Sequence, residues 1–273
     1  MSSEIYNMVI DRNARLVKVE NSGDYFLFTV ESAEISRLAS PGQFLMVKVS
    51  TGVHPLLRRP ISIHNAENSI LQIFFQVAGD GTRLLSLKKP GDTLDLLGPL
   101  GTGFSIKPEI NGKLIFCVGG GRGIAPLYFL ARKLKEAGAI PVIFYGGRTA
   151  ADVPLKTNLE SAGLETLTST DDGSLGFHGL VTSLVEKEVA ARKPAFLFAC
   201  GPEAMMERLA EICQQKRIPG EFSLESIMGC GFGACWGCVR KIRRNGRAGY
   251  LKVCQEGPVF PLEQIVWQED ENG

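Results

Sequence analysis

Leu114-Ile115-Phe116-Cys117-Val118-Gly119-Gly120-Gly121-Arg122-Gly123-Ile124-Ala125-Pro126 joins an apolar run to a glycine turn and the start of a helical pattern. A run without polar residues suits a strand covered on both faces, as in a parallel sheet. Glycine after such a strand lets the backbone approach a phosphate, and the following helix N-terminus favours an anion. Close helix–sheet packing would explain the same glycines. The turn lacks the G-x-G-x-x-G spacing, and the next strand runs into Tyr145-Gly146-Gly147-Arg148 rather than an acidic residue.

Outward from this turn, strand and helix patterns alternate over residues 105–218. A helix is expected over Pro126–Ala137, strands at Val142–Tyr145 and Thr166–Ser169, and a helix over Leu180–Val189. A strand at Phe196–Ala199 and a helix over Pro202–Gln215 follow, with Met205, Leu209 and Ile212 on one helix face. The alternation predicts an open parallel α/β sheet. A second glycine turn, Cys200-Gly201-Pro202-Glu203, falls at a strand's C-terminal end, the edge where such sheets bind ligands. Cys200 reads equally well as a buried small hydrophobe.

Residues 1–104 read differently. Tyr25–Val30, Phe44–Val49, Ile70–Val77 and Thr93–Leu97 are β-rich runs, punctuated at Ser40-Pro41-Gly42, Asn65–Asn68 and Pro90-Gly91-Asp92. One short helix is expected, Thr82–Lys88. The pattern predicts a small antiparallel barrel. Arg58-Arg59-Pro60-Ile61-Ser62 and Gly81-Thr82 could converge on a pyrophosphate, though an arginine pair at a strand end is also an ordinary solvated feature.

Residues 219–273 hold four of the seven cysteines, Cys230, Cys235, Cys238 and Cys254, spaced C-x4-C-x2-C-x15-C. This is plant-type [2Fe–2S] spacing. Structural zinc more often takes paired C-x2-C knuckles and stands as the alternative. Gly229, Gly231, Gly233 and Gly237 allow the unusual backbone angles of a loop folded round a cluster. Cys117 and Cys213 read as small buried hydrophobes. An odd cysteine count argues against a disulfide framework.

The 273 residues suggest two or three domains, and 44% apolar against 22% charged residues is ordinary for a globular protein. A net charge of +1 excludes a strong overall field for nucleic acid or anionic lipid. No apolar stretch approaches a membrane span and the first residues lack a signal-peptide core, so a cytoplasmic location is expected, with no nucleic-acid or membrane partner. His54, His64 and His178 sit in no recognisable constellation.

Taken together, these segments resemble the ferredoxin reductase superfamily, and most nearly the electron-transfer subunits of type B dihydroorotate dehydrogenases. The resemblance is carried by Pro41-Gly42-Gln43-Phe44, Leu57–Ile63, Gly79–Leu85, Gly98-Pro99-Leu100-Gly101, the triple-glycine turn, Cys200-Gly201-Pro202, Met228–Cys238 and Val253–Phe260. It implies a multidomain α+β and α/β architecture. Residues 1–104 would be an FAD-binding β-barrel, 105–218 an NAD-binding α/β domain and 219–273 a [2Fe–2S] domain. It implies that Arg59, Pro60, Ile61, Ser62, Phe74, Phe75, Gln76, Gly81 and Thr82 hold FAD. Gly119, Gly120, Gly121, Gly123, Gly201 and Pro202 would receive NAD(H), with Cys200 as the catalytic neighbour of the nicotinamide. The four spaced cysteines would be the metal ligands.

Many relatives carry a tyrosine where this chain has Ile61, so stacking on the flavin is lost there. Arg122 has no assigned part. The implied activity is electron transfer from NADH through FAD and the cluster to a partner. That partner would be an FMN-containing catalytic dihydroorotate dehydrogenase subunit of pyrimidine biosynthesis, in a two-plus-two heterotetramer. A flavin suits the middle place because it takes two electrons together and releases them singly. The alternatives are a related subunit of a sulfide dehydrogenase or of a bifurcating NADH–ferredoxin oxidoreductase, against which the x4 cysteine spacing argues, and a non-catalytic zinc-knuckle scaffold.

Overall fold

The computed structural model describes residues 8–244 and 246–267. β1 (Val9–Ser22) and β2 (Tyr25–Glu31) form a hairpin over Gly23, whose φ is +56°. α1 (Ala33–Leu38) follows, then β3 (Phe44–Lys48), β4 (Arg59–Glu67) and β5 (Ile70–Gln76). α2 (Asp80–Ser86) and β6 (Thr93–Leu100) complete the unit. The strands close into a barrel in the order β1-β2-β5-β4-β3-β6. Leu16, Phe28, Ile63, Leu71, Ile73 and Leu96 fill it, all fully buried. Two helices occur here, not one, because α1 is a six-residue turn whose burial falls on only Ile35 and Ser36. β4 runs through Asn65 and turns at Asn68-Ser69, both with positive φ as a tight hairpin turn requires.

The second unit alternates β7 (Leu114–Gly120), α3 (Ala125–Glu136), β8 (Ile140–Gly147), α4 (Lys156–Ser161), β9 (Glu165–Thr170) and β10 (Phe177–His178). It continues with α5 (Val181–Arg192), β11 (Phe196–Cys200), α6 (Glu203–Lys216) and β12 (Gly220–Ser223). Beyond these lie the hairpin β13 (Val239–Arg244) and β14 (Arg247–Lys252), then β15 (Val259–Pro261). The sheet order is β10-β9-β8-β7-β11-β12-β15, parallel except for β15. The order reverses between β7 and β11, so a crevice opens beyond their C-terminal ends. The cluster segment leaves the sheet after β12 and returns in β15, which pairs with β12 through Phe222 and Phe260.

α3 binds sheet to barrel. Leu127, Leu130 and Leu134 pack in the sheet's core, while Phe129 packs in the barrel's. From β4, His64 Nδ1 donates to the Ala125 carbonyl at 2.9 Å, and its ring stacks on Tyr128 at 4.6 Å. Burial pushes the imidazole down to about 4, against the opposing pull of that backbone bond. The unfolded chain therefore takes up the proton first as pH falls. Stability from the neutral ring is complete above about pH 6.5 and lost on the way down to about pH 4. Between pH 7 and pH 5 this group is expected to cost about 2 kcal/mol of unfolding free energy. Denaturant titrations at both pH values, compared with His64→Gln, measure it; an unchanged difference in the variant would assign the acid sensitivity elsewhere.

Candidate functional site

Two cavities meet at the sheet's reversal point. The larger, about 570 Å³, lies between the β7 and β11 turns and is lined by Gly120, Gly121, Arg122, Gly201, Pro202 and Met205, among others. The two turns touch. A Cβ on Gly120 would meet Pro202 Cδ and Met205 Sδ at 2.8 Å, and one on Gly201 would lie 3.1 Å from the Gly120 nitrogen. Gly121 has φ +52°, and a Cβ there would meet only the Tyr25 hydroxyl, at 3.8 Å, so its backbone is left open toward the cavity. Gly147, Arg148, Asp152 and Asp171 form a further wall. Tyr25 crosses from the barrel, its hydroxyl donating to Asp152 Oδ1 at 2.9 Å and its ring stacked on Phe74. Burial, with Asp152 beside it, pushes Tyr25 up to about 12. Arg148 Nε lies 3.3 Å from Asp152 Oδ2, so this cation is already paired.

The second cavity, about 300 Å³, lies between barrel and sheet. Pro60, Ile61, Ser62, Phe74, Phe75, Gln76 and Thr82 line it from the barrel, and Gly123 and Cys200 from the sheet. The fold thus gathers residues 20 and more apart in sequence onto one wall. Arg59 and Gly81 are not on it. They pack on each other next door, the Arg59 guanidinium covering the space a Gly81 side chain would need. Arg58 is structural: it pairs with Asp95 at 2.8 Å and donates to the Met46 carbonyl. Thr82 Oγ1 accepts from the Ala78 and Gly79 N–H groups, ordering the start of α2. Gly119 reaches neither cavity, because it packs under its own turn against Ile124.

Cys200 is 4% exposed, and burial with nearby Glu225 pushes its thiol up to about 12 despite the Ser223 hydroxyl. It stays a neutral thiol at physiological pH. Its part is therefore contact and hydrogen bonding, not nucleophilic attack.

In the cluster segment the sulfurs fall into two pairs. Cys230 lies in hydrogen-bond reach of Cys235, and Cys238 of Cys254. Main-chain N–H groups point at them: Gly233 N–H donates to Cys254 Sγ at 3.2 Å, and Ala234 and Cys235 N–H to Cys230 Sγ at 3.3 and 3.4 Å. Gly231 and Gly233 have φ +83° and +88°, which bends the loop so that this can happen. Among the described residues, no three of His, Cys, Asp and Glu gather round one ion-sized point. Two thiol pairs under a canopy of N–H donors suit a two-iron cluster better than a single tetrahedral ion. Cys238 and Cys254 are buried, while Phe232 and Trp236 beside them are 49% and 60% exposed. Lys252 Nζ lies 4.6 Å over the Trp236 ring.

Tyr25, Asp152, Ser223 and Glu225 join these cavities without being foreseen in the sequence. No local motif marks them; they come from three separate stretches of chain that meet only in the fold.

Comparison with known proteins adds the following. Residues 225–266 match the iron–sulfur cluster binding domain of dihydroorotate dehydrogenase B, and residues 117–211 an oxidoreductase NAD-binding domain. The chain is 38% identical over 262 residues to a dihydroorotate dehydrogenase B (NAD(+)) electron transfer subunit from Desulforamulus reducens, covering 95% of this chain and 99% of that one. The counterpart from Bacillus caldolyticus is 42% identical over 87% of this chain and 91% of its own. Among solved structures, an NADH-dependent reduced ferredoxin–NADP oxidoreductase studied for flavin-based electron bifurcation superposes with TM-score 0.81. It is 30% identical and covers 94% of this chain and 91% of its own. A ferredoxin NADP+ reductase from Neisseria gonorrhoeae, solved with FAD and NADP, has TM-score 0.61 at 17% identity, covering 77% of this chain and 92% of its own, and shares the fold.

Proposed function

Because the chain belongs to the family of dihydroorotate dehydrogenase B electron transfer subunits, we propose that it carries electrons between NAD(H) and a catalytic dihydroorotate dehydrogenase subunit. It is an oxidoreductase subunit whose family chemistry uses FAD, a [2Fe–2S] cluster and NAD(H). When bound, these groups supply hydride acceptance and one-electron transfer, which no side chain here could provide. The observation that carries the reading is spatial. A glycine-turn cavity, a barrel cavity and a two-pair cysteine loop stand in series, the first two sharing Arg122 and Glu225, and the barrel cavity including Met228, two residues before Cys230.

The chain's own residues have these parts. Gly120, Gly121, Gly201 and Pro202 line the larger cavity and would let backbone approach the dinucleotide, and Gly119 and Gly123 let the turn pack tightly. Pro60, Ile61, Ser62 and Phe74–Gln76 line the flavin's place, with Ile61 supplying bulk where an aromatic ring is absent. Thr82 orders the start of α2, and Arg59, packed on Gly81, would offer its guanidinium to the flavin's phosphates. Cys200, a buried neutral thiol in the wall of the barrel cavity, would stand beside the nicotinamide and help keep water from it. Cys230, Cys235, Cys238 and Cys254 would hold the cluster through their thiolates. The working division is barrel 1–104, nucleotide unit 105–218 and cluster segment 219–273, the last anchored in the sheet by β12 and β15.

Arg148 is occupied by Asp152, and Asp171 adds a second carboxylate to the same wall. A 2′-phosphate would meet net negative charge there. NADH is expected to reduce the flavin with at least about tenfold higher efficiency than NADPH. Stopped-flow reduction with each nucleotide decides it, and equal or better use of NADPH would overturn the assignment.

The partner is read as an FMN-containing catalytic subunit, two of each chain forming the complex. No described helix is long and apolar enough to cross a membrane. The isolated holoprotein should reduce an artificial acceptor from NADH yet show no orotate-linked turnover until the partner is added. Orotate-linked turnover by this chain alone would sink the reading. Trp236 and Phe232, exposed beside the cluster, suit docking, since aromatics concentrate at interface centres. Trp236→Ala should weaken assembly by about 2 kcal/mol, measured by calorimetric titration of one subunit into the other.

A further inference from the structure

Arg122 is the only side chain longer than isoleucine in the Gly119–Gly123 turn and its helical entry, and the sequence offers no reason for a cation there. In the structure its guanidinium meets Glu225 at two points, Nη2 to Oε2 at 2.9 Å and Nε to Oε1 at 3.4 Å. The two side chains are 49% and 53% exposed, so the pair is solvated and readily exchanged. Both line the nucleotide cavity and the flavin cavity together. The pair therefore stands in the wall between them. The other cations of the nucleotide cavity are committed elsewhere, Arg148 to Asp152 and Arg208 to Glu186 and Glu211.

On the reading of the larger cavity as the dinucleotide site, we propose that Arg122 is shared between two competing anions: Glu225 when the site is empty, and the dinucleotide diphosphate when it is filled. The guanidinium hangs from the turn whose backbone faces the diphosphate, and a diphosphate offers it more charge than one carboxylate does. Glu225 is three residues from Met228 in the flavin cavity and five from Cys230. Its release loosens the stretch that joins β12 to the cluster loop. Nucleotide occupancy is thereby felt at the segment through which electrons leave, and by linkage that segment's order is felt in nucleotide affinity.

Exchange makes the two members of one ion pair act in opposite directions. NAD+ titrated calorimetrically into the oxidised holoprotein should bind about tenfold more weakly to Arg122→Gln and about threefold more tightly to Glu225→Gln. Arg122→Lys, which keeps the charge, should stay within about threefold of the parent. In hydrogen exchange, NAD+ should speed labelling of residues 224–229 in the parent and leave it unchanged in Arg122→Gln. A merely structural pair would weaken binding in both variants alike, and that result, or protection of 224–229 by NAD+, would overturn the exchange. Failure of the parent holoprotein to bind NAD+ at all would instead overturn the assignment of the cavity.

Discussion

Serine in place of Cys238 is expected to strip the cluster from the protein while leaving the flavin reducible by NADH. Cys238 is 1% exposed and sits against Cys254, whose own N–H donates to Cys238 Sγ at 3.4 Å. A serine hydroxyl there is a poor ligand for iron, and it leaves the partner thiol without its pair. Iron should fall from about two atoms per chain to well under one, with sulfide falling in step. The hydride-accepting half is untouched, because the flavin cavity takes no residue from β13 or β14. Cys213→Ser is the control. That thiol is also buried, but in α6 within the sheet's core, so the change should cost stability and no iron. Iron analysis and visible absorbance of both variants separate the outcomes; undiminished iron in Cys238→Ser would remove this residue from the ligand set.

Gly123→Ala is expected to be nearly as damaging at the opposite end of the relay. A methyl group at Gly123 would overlap the Cys200 carbonyl oxygen and lie 2.7 Å from Gly201 Cα. Both neighbours are backbone, so neither can rotate away. The β7 and β11 turns must part, and both line the nucleotide cavity. Overpacking of this kind costs about 1–3 kcal/mol. The larger effect is geometric, since a displacement near 1 Å at a reacting pair can cost about 100-fold in rate. Flavin reduction by NADH should fall by about that factor, while reduction by dithionite is unchanged. Gly249→Ala, at a position with open space and ordinary φ, should behave as the parent. A Gly123→Ala protein reduced by NADH at the parental rate would show that the turns are not held at this point.

How much of this was legible from residue order depends on how far apart the contributing segments lie. The nucleotide unit was readable because β7, β8 and β11 are apolar runs and α3 and α6 have one buried face each. The cluster ligands were readable because all four lie within 25 residues. β1 was not. It has 14 residues, yet only Ala14 and Leu16 are buried, and charges at Asp11, Arg12, Arg15 and Lys18 hide the alternation. Of the arginine pair, sequence could not say which member was structural; the Arg58–Asp95 contact settles that. Asp152 and Glu225 look like any surface acid until Tyr25 and Arg122 are brought to them across 127 and 103 residues. Pairings over such separations leave no spacing to detect.

The return of the chain in β15 bears on how fast electrons can leave. Tunnelling between redox centres weakens exponentially with distance, so a tethered carrier on a swinging linker would give a spread of rates. Here the cysteine loop is clamped at both roots, by β12 on one side and by β15 on the other, with the Thr102–Pro258 bridge tying the second root to the end of the barrel. A loop held so is tied to both the sheet and the barrel. The gap from flavin place to cluster place is then a property of the fold itself, and the escape rate should be single-valued from molecule to molecule.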